Sequence, residues 1–412
     1  MTASTSVSAA PGAWRSGAGN WPYILCWLAV ALDGYDLVVL GAVIPTLTHS
    51  GDLGFTSESL TTAATLGLAG VGIGAVLTGP LADRFGRRNN LIASIAWFSV
   101  LTIALVFAPN VTVFIVLRFL AGLGLGACLP TALALISEHA GNARPSGAMT
   151  RMMTGYHVGA VITALLGLFV IDQFGWRAMF LIGGAAGLLV VPVMWVKLPE
   201  SEAYQQRKRA DAVRVRPSEV VRGRLLWVSL GLWVASFMGL LLVYGLNTWL
   251  PKIMESAGYS VQAGIGLLLT LNLGGVLGLL IAGRIADARG QKQTVLLWFG
   301  TAAVVLALLS IKLQASALVY AAVLLAGIFV FSAQVLVYAW VSQLYPTAVR
   351  GTALGMSAGI GRIGAIVGPS LGGALVSAGI AYPWGFYAFG TAAAIAVGAL
   401  ALVPSRVPHP VS

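Results

Sequence analysis

Charge is what this sequence has least of. Among its 412 residues only 9% are Asp, Glu, Lys or Arg, against about a quarter in a soluble domain. Twenty-four basic and 13 acidic side chains cannot cover a water-facing surface of that size, so a soluble fold is excluded. Cysteine is nearly absent. Cys26 and Cys128 both lie in apolar runs, which makes them small buried hydrophobes and excludes a disulfide framework or a thiolate metal site. GxxxxGK[ST], HExxH and paired Cys/His clusters are missing, so no nucleotide, cofactor or metal partner is expected. A GxGxxG string at Gly359–Gly364 has no strand before it, and the stripe Gly364, Gly368, Gly372 reads better as close helix packing. The first twenty residues lack the basic region, short apolar core and cleavage site of a signal peptide.

What is present is apolar and periodic: 58% hydrophobic residues and 51 glycines. A bilayer core takes about 20 apolar residues per helix. Twelve such stretches occur, at 23–48, 60–82, 90–108, 111–137, 147–171, 176–198, 225–250, 262–285, 293–311, 316–342, 353–379 and 383–403. The sequence therefore predicts an all-α membrane protein with twelve transmembrane helices. Its parts are a disordered cytosolic tail (1–20), an N-terminal six-helix half (21–198), a basic cytosolic linker (199–224), a C-terminal six-helix half (225–403) and a short cytosolic tail (404–412).

The net charge of +11 comes from clusters between spans rather than from one helix face, which favours topology signals over nucleic-acid binding. With both termini inside, nineteen Lys and Arg face the cytosol, three face outward and two, Arg118 and Arg362, fall within spans. This predicts a multi-pass protein of the plasma (inner) membrane with cytoplasmic termini. The halves also repeat. GPLADRFGRR (Gly79–Arg88) returns as GRIADARGQK (Gly283–Lys292), and SEHAGNAR (Ser137–Arg144) is echoed by SQLYPTAVR (Ser342–Arg350). His157-Val-Gly-Ala corresponds to Arg362-Ile-Gly-Ala. Near-constant offsets in chain order imply an internal duplication, the plan of a transporter whose halves rock about a midplane site.

Only two carboxylates lie deep in a span, Asp33 and Asp36 in ALDGYDLVV. Three residues apart, they share one helix face. Burying a carboxylate is costly, so such groups usually face an aqueous cavity and act there, and repulsion between the two helps one take up protons. They are the proton-coupling candidates. Arg118 offers a permanent fork matched to a carboxylate, and is expected to pair with Asp33 or Asp36 in one state and with the substrate carboxylate in another, with Arg362 or His157 next in line for that role. Arg362 has the same dual reading, with a position near the cytoplasmic end of its span favoured. His157 can titrate near neutral pH. Tyr244, Asn247 and Trp249, with Tyr338 and Trp340, can line a cavity for a planar ring, or anchor span ends at the interface.

In GPLADRFGRR the glycines allow a tight turn, and Asp83 can accept N–H groups at a helix start. The motif and its repeat resemble the signature of the major facilitator superfamily. In that family the loop latches the halves at the cytoplasmic side, which implies gating roles for Gly79, Asp83, Gly86 and Arg87, with Asp287 a weaker counterpart. Glu138, Arg144 and Arg350 join the same cytosolic charge network. Asp33-Gly34-Tyr35-Asp36 resembles the DGxD element of the aromatic acid:proton symporter family. YGLNTWLP (Tyr244–Pro251), Gln334, LYPTAVRGTALG and GIGRIGAIVGPSLGG are similar to that family's later helices. The resemblance runs from about residue 21 to 400. It implies a small aromatic carboxylate and protons as partners, with Arg118, Tyr35, His157, Tyr244, Asn247, Gln334 and Arg362 binding substrate. Benzoate or a hydroxybenzoate is the expected cargo, and nicotinate or muconate the alternative. A drug/proton exporter fits less well, because the fifth span reads GYHVGAVITALLG without the antiporter Gly-Pro signature. A membrane enzyme or a sensor would need a nucleophile–base pair or a soluble domain, and neither is visible.

Overall fold

The computed structural model describes residues 20–139, 145–200, 224–312, 315–345 and 347–405. Most of the expected tails and linker, together with Arg144, fall outside that set. So do the side chains of Asp83, Glu138 and Arg350, whose backbones are helical.

Among the described residues the first half contains α1 (Trp21–Ser50), α2 (Ser57–Phe85), α3 (Arg87–Ala104), α4 (Val111–His139), α5 (Pro145–Phe174) and α6 (Trp176–Lys197). The second contains α7 (Arg224–Ser256), α8 (Val261–Arg289), α9 (Gln291–Leu309), α10 (Ser316–Leu344), α11 (Thr347–Ser377) and α12 (Ala381–Ala401). Each is long and apolar enough to cross a bilayer. In hydrocarbon every backbone polar group needs a partner within the protein, and a continuous helix supplies it locally. Leu189, Val196, Trp227 and Leu318 lie exposed on the outside of the bundle, a surface fit for lipid and not for water.

The duplication read from the sequence reappears as geometry. The Thr56 hydroxyl caps the start of α2 by accepting from Ser59 N at 3.2 Å, and Ser260 does the same for α8 from Ala263 N at 3.1 Å. Both helices end at a glycine of left-handed φ, Gly86 at 91° and Gly290 at 92°, a conformation that a side chain would strain. Two residues later Arg88 reaches the end of α6, donating to Leu198 O at 2.6 Å and also to Trp195 O. Lys292 reaches the end of α12, donating to Ala401 O and Val403 O at 2.9 and 2.7 Å. In each half a cation thus satisfies carbonyls left open at a helix C-terminus. These described contacts brace the loop within its own half, and Glu200 adds to them by accepting from the backbone N–H of Arg87 and Arg88, both at 3.0 Å.

Packing follows the same symmetry. Within the halves α1 lies on α5 as α7 lies on α11, and α2 on α4 as α8 on α10. Across the seam α2 meets α11, α5 meets α8, and α1 meets α7. Close approach inside the first half depends on Gly34 of α1, where a Cβ would sit 2.0 Å from Tyr156 O.

Candidate functional site

The two membrane aspartates have different surroundings. Asp36 is fully engaged within the first half. Arg118 Nη1 of α4 lies 2.8 Å from its Oδ2, and Thr102 of α3 donates to Oδ1 at 2.7 Å. The same guanidinium also reaches the Asp36 carbonyl, at 3.3 and 3.4 Å. Both side chains are nearly sealed from solvent, 5% and 3% exposed. Both oxygens of Asp36 are thus engaged, while the Nε–H of Arg118 has no partner among the described residues.

Asp33 is just as deeply buried, yet its Oδ1 has no hydrogen-bond partner among the described residues. It feels the positive charge of Arg362 and the negative charge of Asp36. Three residues along a helix turn the side chain by about 60°, enough to send Asp36 toward α3 and α4 while Asp33 faces the seam. Tyr35 is turned away from both: its hydroxyl donates to Met179 O of α6 at 2.8 Å. The expectation that Tyr35 touches substrate is therefore corrected to a brace between α1 and α6.

Arg362 stands at the middle residue of α11, not near the cytoplasmic end that the sequence reading favoured. Its Nη1 donates to the Tyr244 hydroxyl of α7 at 3.2 Å. Asp33, Tyr244 and Tyr338 all lie within electrostatic reach of it. Tyr156 of α5 stands beside Tyr244, and its buried hydroxyl has no well-aligned partner among the described residues. Gln334 of α10 is buried beside Tyr338, its amide atoms without a well-aligned partner among the described residues. An acid, an arginine, phenols and an amide from both halves thus converge where α1, α5, α7, α10 and α11 meet. A cavity runs beside them between α1, α2, α4 and α7, bounded by Leu37, Leu40, Leu68, Arg118, Tyr244 and Thr248. Its free volume is about 10 Å³, room for a single water and not for a ring in this closed arrangement.

His157 and Asn247 belong to a neighbouring chain of contacts. His157 Nδ1 lies 3.3 Å from Asn272 Oδ1 of α8, Asn272 Nδ2 donates to Asn247 Oδ1 at 2.8 Å, and the imidazole stacks on Phe331 at 4.5 Å. Trp249 is structural, donating to Pro369 O at 2.8 Å. Tyr156, Asn272 and Thr102 escaped the sequence reading. They are common polar residues in apolar runs, and only the position of Tyr156 beside His157 gave any hint of it.

Among the described residues four polar links join the halves at the face opposite the termini. They are Thr65 to Ser370 at 2.9 Å, Lys252 Nζ to Thr48 at 3.1 Å, His49 Nε2 to Glu255 at 3.4 Å and Gln262 to Asp172 at 3.2 Å. The bundle is held shut on that face.

Two pseudo-symmetric six-helix halves around a buried acid–arginine cluster are the plan of a membrane transporter. The Major Facilitator Superfamily profile matches residues 26–358 and again 262–412, and the chain belongs to this superfamily: it is a transporter and not an enzyme. It is 36% identical to a gentisate transporter of Corynebacterium glutamicum, over 92% of this chain and 86% of that one. A gallate transporter of Pseudomonas putida is 30% identical over 91% and 90%. The crystal structure of a D-xylose-proton symporter superposes with a TM-score of 0.77 at 17% identity, covering 93% of this chain and 97% of the other, which is a likeness of fold.

Proposed function

We propose that this protein imports a small aromatic carboxylate together with a proton, across the plasma (inner) membrane, with both termini in the cytoplasm. The substrate class rests on the relatives named for gentisate and gallate, and the orientation on the excess of Lys and Arg at the terminal face. The face closed by Thr65–Ser370 and Lys252–Thr48 is then the outer one.

The observation that carries the mechanism is the unequal engagement of the two arginines. Arg118 is ion-paired with Asp36, its Nε alone lacking a partner among the described residues, whereas Arg362 has a phenol as hydrogen-bond partner and Asp33 as its nearby countercharge. Arg362 is therefore the residue that receives the substrate carboxylate, through charge-assisted hydrogen bonds. In the empty carrier Asp33 and Arg362 balance one another. When substrate takes the arginine, ionised Asp33 would leave a net negative charge in a low-dielectric site, and a proton on Asp33 removes it. Empty and fully loaded carriers are thus electrically balanced at the centre. Substrate without its proton leaves a charge there that opposes closure, which couples the two fluxes. Asp36 and Arg118 stay neutralised by each other throughout.

Proteoliposomes with an imposed inward proton gradient and labelled hydroxybenzoate test the reading. Wild type should accumulate the acid above equilibrium and lose that accumulation with a protonophore. Accumulation that is indifferent to the protonophore would rule out proton coupling.

A further inference from the structure

Between α5 and α8 a short polar chain runs across the seam, and its chemistry determines more than its contacts do. It begins at two backbone carbonyls, Val243 O and Leu268 O, which can only accept. Asn247 Nδ2 donates to Val243 O at 3.0 Å, so the amide oxygen of Asn247 is turned toward Asn272. Asn272 Nδ2 donates to that oxygen at 2.8 Å and to Leu268 O at 3.1 Å, which uses both of its N–H bonds. Flipping the Asn272 amide would set its oxygen against two oxygens. Its Oδ1 must therefore be the atom that faces His157 Nδ1 at 3.3 Å. An amide oxygen accepts, so Nδ1 carries the hydrogen. The stack on Phe331, at an interplanar angle of 30°, holds the ring plane.

We propose that Asn272 is a positioning residue that locks His157 into the Nδ1–H tautomer, leaving Nε2 as the one ring atom able to accept a hydrogen bond or proton at the seam between the halves. Two donations within single helices, Asn247 to Val243 and Asn272 to Leu268, orient the amides. The tautomer of a histidine in the first half is thus dictated by helices of the second. Nε2 is then reserved for a donor, such as a phenolic or carboxylic O–H.

The protein has four histidines, so replacing His49, His139 and His409 by Asn leaves His157 as the single imidazole in a 15N-histidine NMR spectrum of the full chain in nanodiscs. Neutral His157 should give the Nδ1–H pattern, and Asn272→Leu should shift it toward Nε2–H, the form free imidazoles favour. Uptake, whose use as a readout rests on the transport reading, should fall about tenfold in Asn272→Leu, the scale of one buried hydrogen bond. In a His157→Phe background, which keeps an aromatic ring against Phe331, the same change should cost nothing further. An Nε2–H pattern in the parent spectrum overturns the proposal, as does a tautomer unmoved by Asn272→Leu or a fully additive loss in the double variant. Absence of aromatic acid uptake in the wild type would instead defeat the transport reading and leave the tautomer measurement standing.

Discussion

Arg118 and Arg362 are the same side chain in opposite halves of one bundle, and they hold opposite kinds of position. Arg118 meets Asp36 side chain and backbone together, within helices of a single half. Arg362 reaches a phenol of its own half and faces an acid, Asp33, carried by the other. A charge paired within one rigid body is scaffold. A charge balanced across a seam changes its partner when the bodies move, which is what a carrier requires.

The largest expected effect breaks this comparison directly. Arg118→Ala leaves Asp36 buried and unpaired, a loss of about 3–5 kcal/mol, so the protein should unfold at markedly lower temperature or fail to accumulate. Restoring neutrality with Asp36→Asn in the same chain should recover part of that stability, as judged by thermal unfolding in detergent. Arg362→Ala, which leaves Asp33 to be neutralised by a proton, should cost less stability than Arg118→Ala yet lose substrate binding by more than about a hundredfold, the scale of a buried charge-assisted contact. A stable Arg118→Ala that fails to bind, beside an Arg362→Ala that binds normally, would exchange the two roles.

Asp33→Asn sharpens the same contrast from the acid's side. It mimics the protonated form, so exchange of labelled for unlabelled substrate should continue while accumulation driven by the proton gradient falls to the equilibrium level. Concentrative uptake by Asp33→Asn would move the coupling to Asp36.

A smaller effect compares the repeated loops. Arg88→Ala and Lys292→Ala each free carbonyls at the end of the sixth helix of a half, and each should cost about 1 kcal/mol in thermal stability. Loss of both should add, because the contacts lie in separate halves. A coupling larger than about 0.5 kcal/mol would show that the loops act on one another across the seam.

The smallest effect is at the rim opposite the termini. Asp52 accepts from the Trp176 indole at 2.9 Å and from Arg177 at 2.7 Å. These bonds, the indole's first, hold its carboxyl below the usual carboxylate range. A depressed native value means the brace is complete above the unfolded value, near about pH 4, and fades as the pH falls further. The pair is one-third exposed or more, so Asp52→Asn should cost under about 1 kcal/mol. The variant and wild type should converge in stability in acid. A difference that grows as the pH falls would contradict the sign.

Much of the architecture was legible before any coordinates. The twelve spans, their division into six and six, and the duplication centred on Gly86 and Gly290 depend on run lengths and local spacing, which a linear text preserves. The candidate residues were partly legible for the same reason: Asp33, Asp36, Arg118 and Arg362 are charges in places where charge is costly. Tyr35 was misplaced because a motif names neighbours in sequence, whereas 100° of helical turn per residue separates it from Asp36 and sends its hydroxyl to α6. Asn272 and Tyr156 were invisible, since uncharged polar residues in apolar runs carry no signal until a partner is seen.

The sequence by itself determined how many helices cross the membrane, how they divide into two similar halves, and that a carboxylate pair and two guanidinium groups lie buried among them. Those follow from transfer free energies summed along the chain, residue by residue. Only the tertiary structure decided that Asp36 belongs to Arg118, that Asp33 is left to face Arg362 from more than three hundred residues away, and that Asn272 stands against His157. Electrostatic and hydrogen-bond energies depend on separations of a few ångströms, and no spacing along a chain specifies those until the helices have packed.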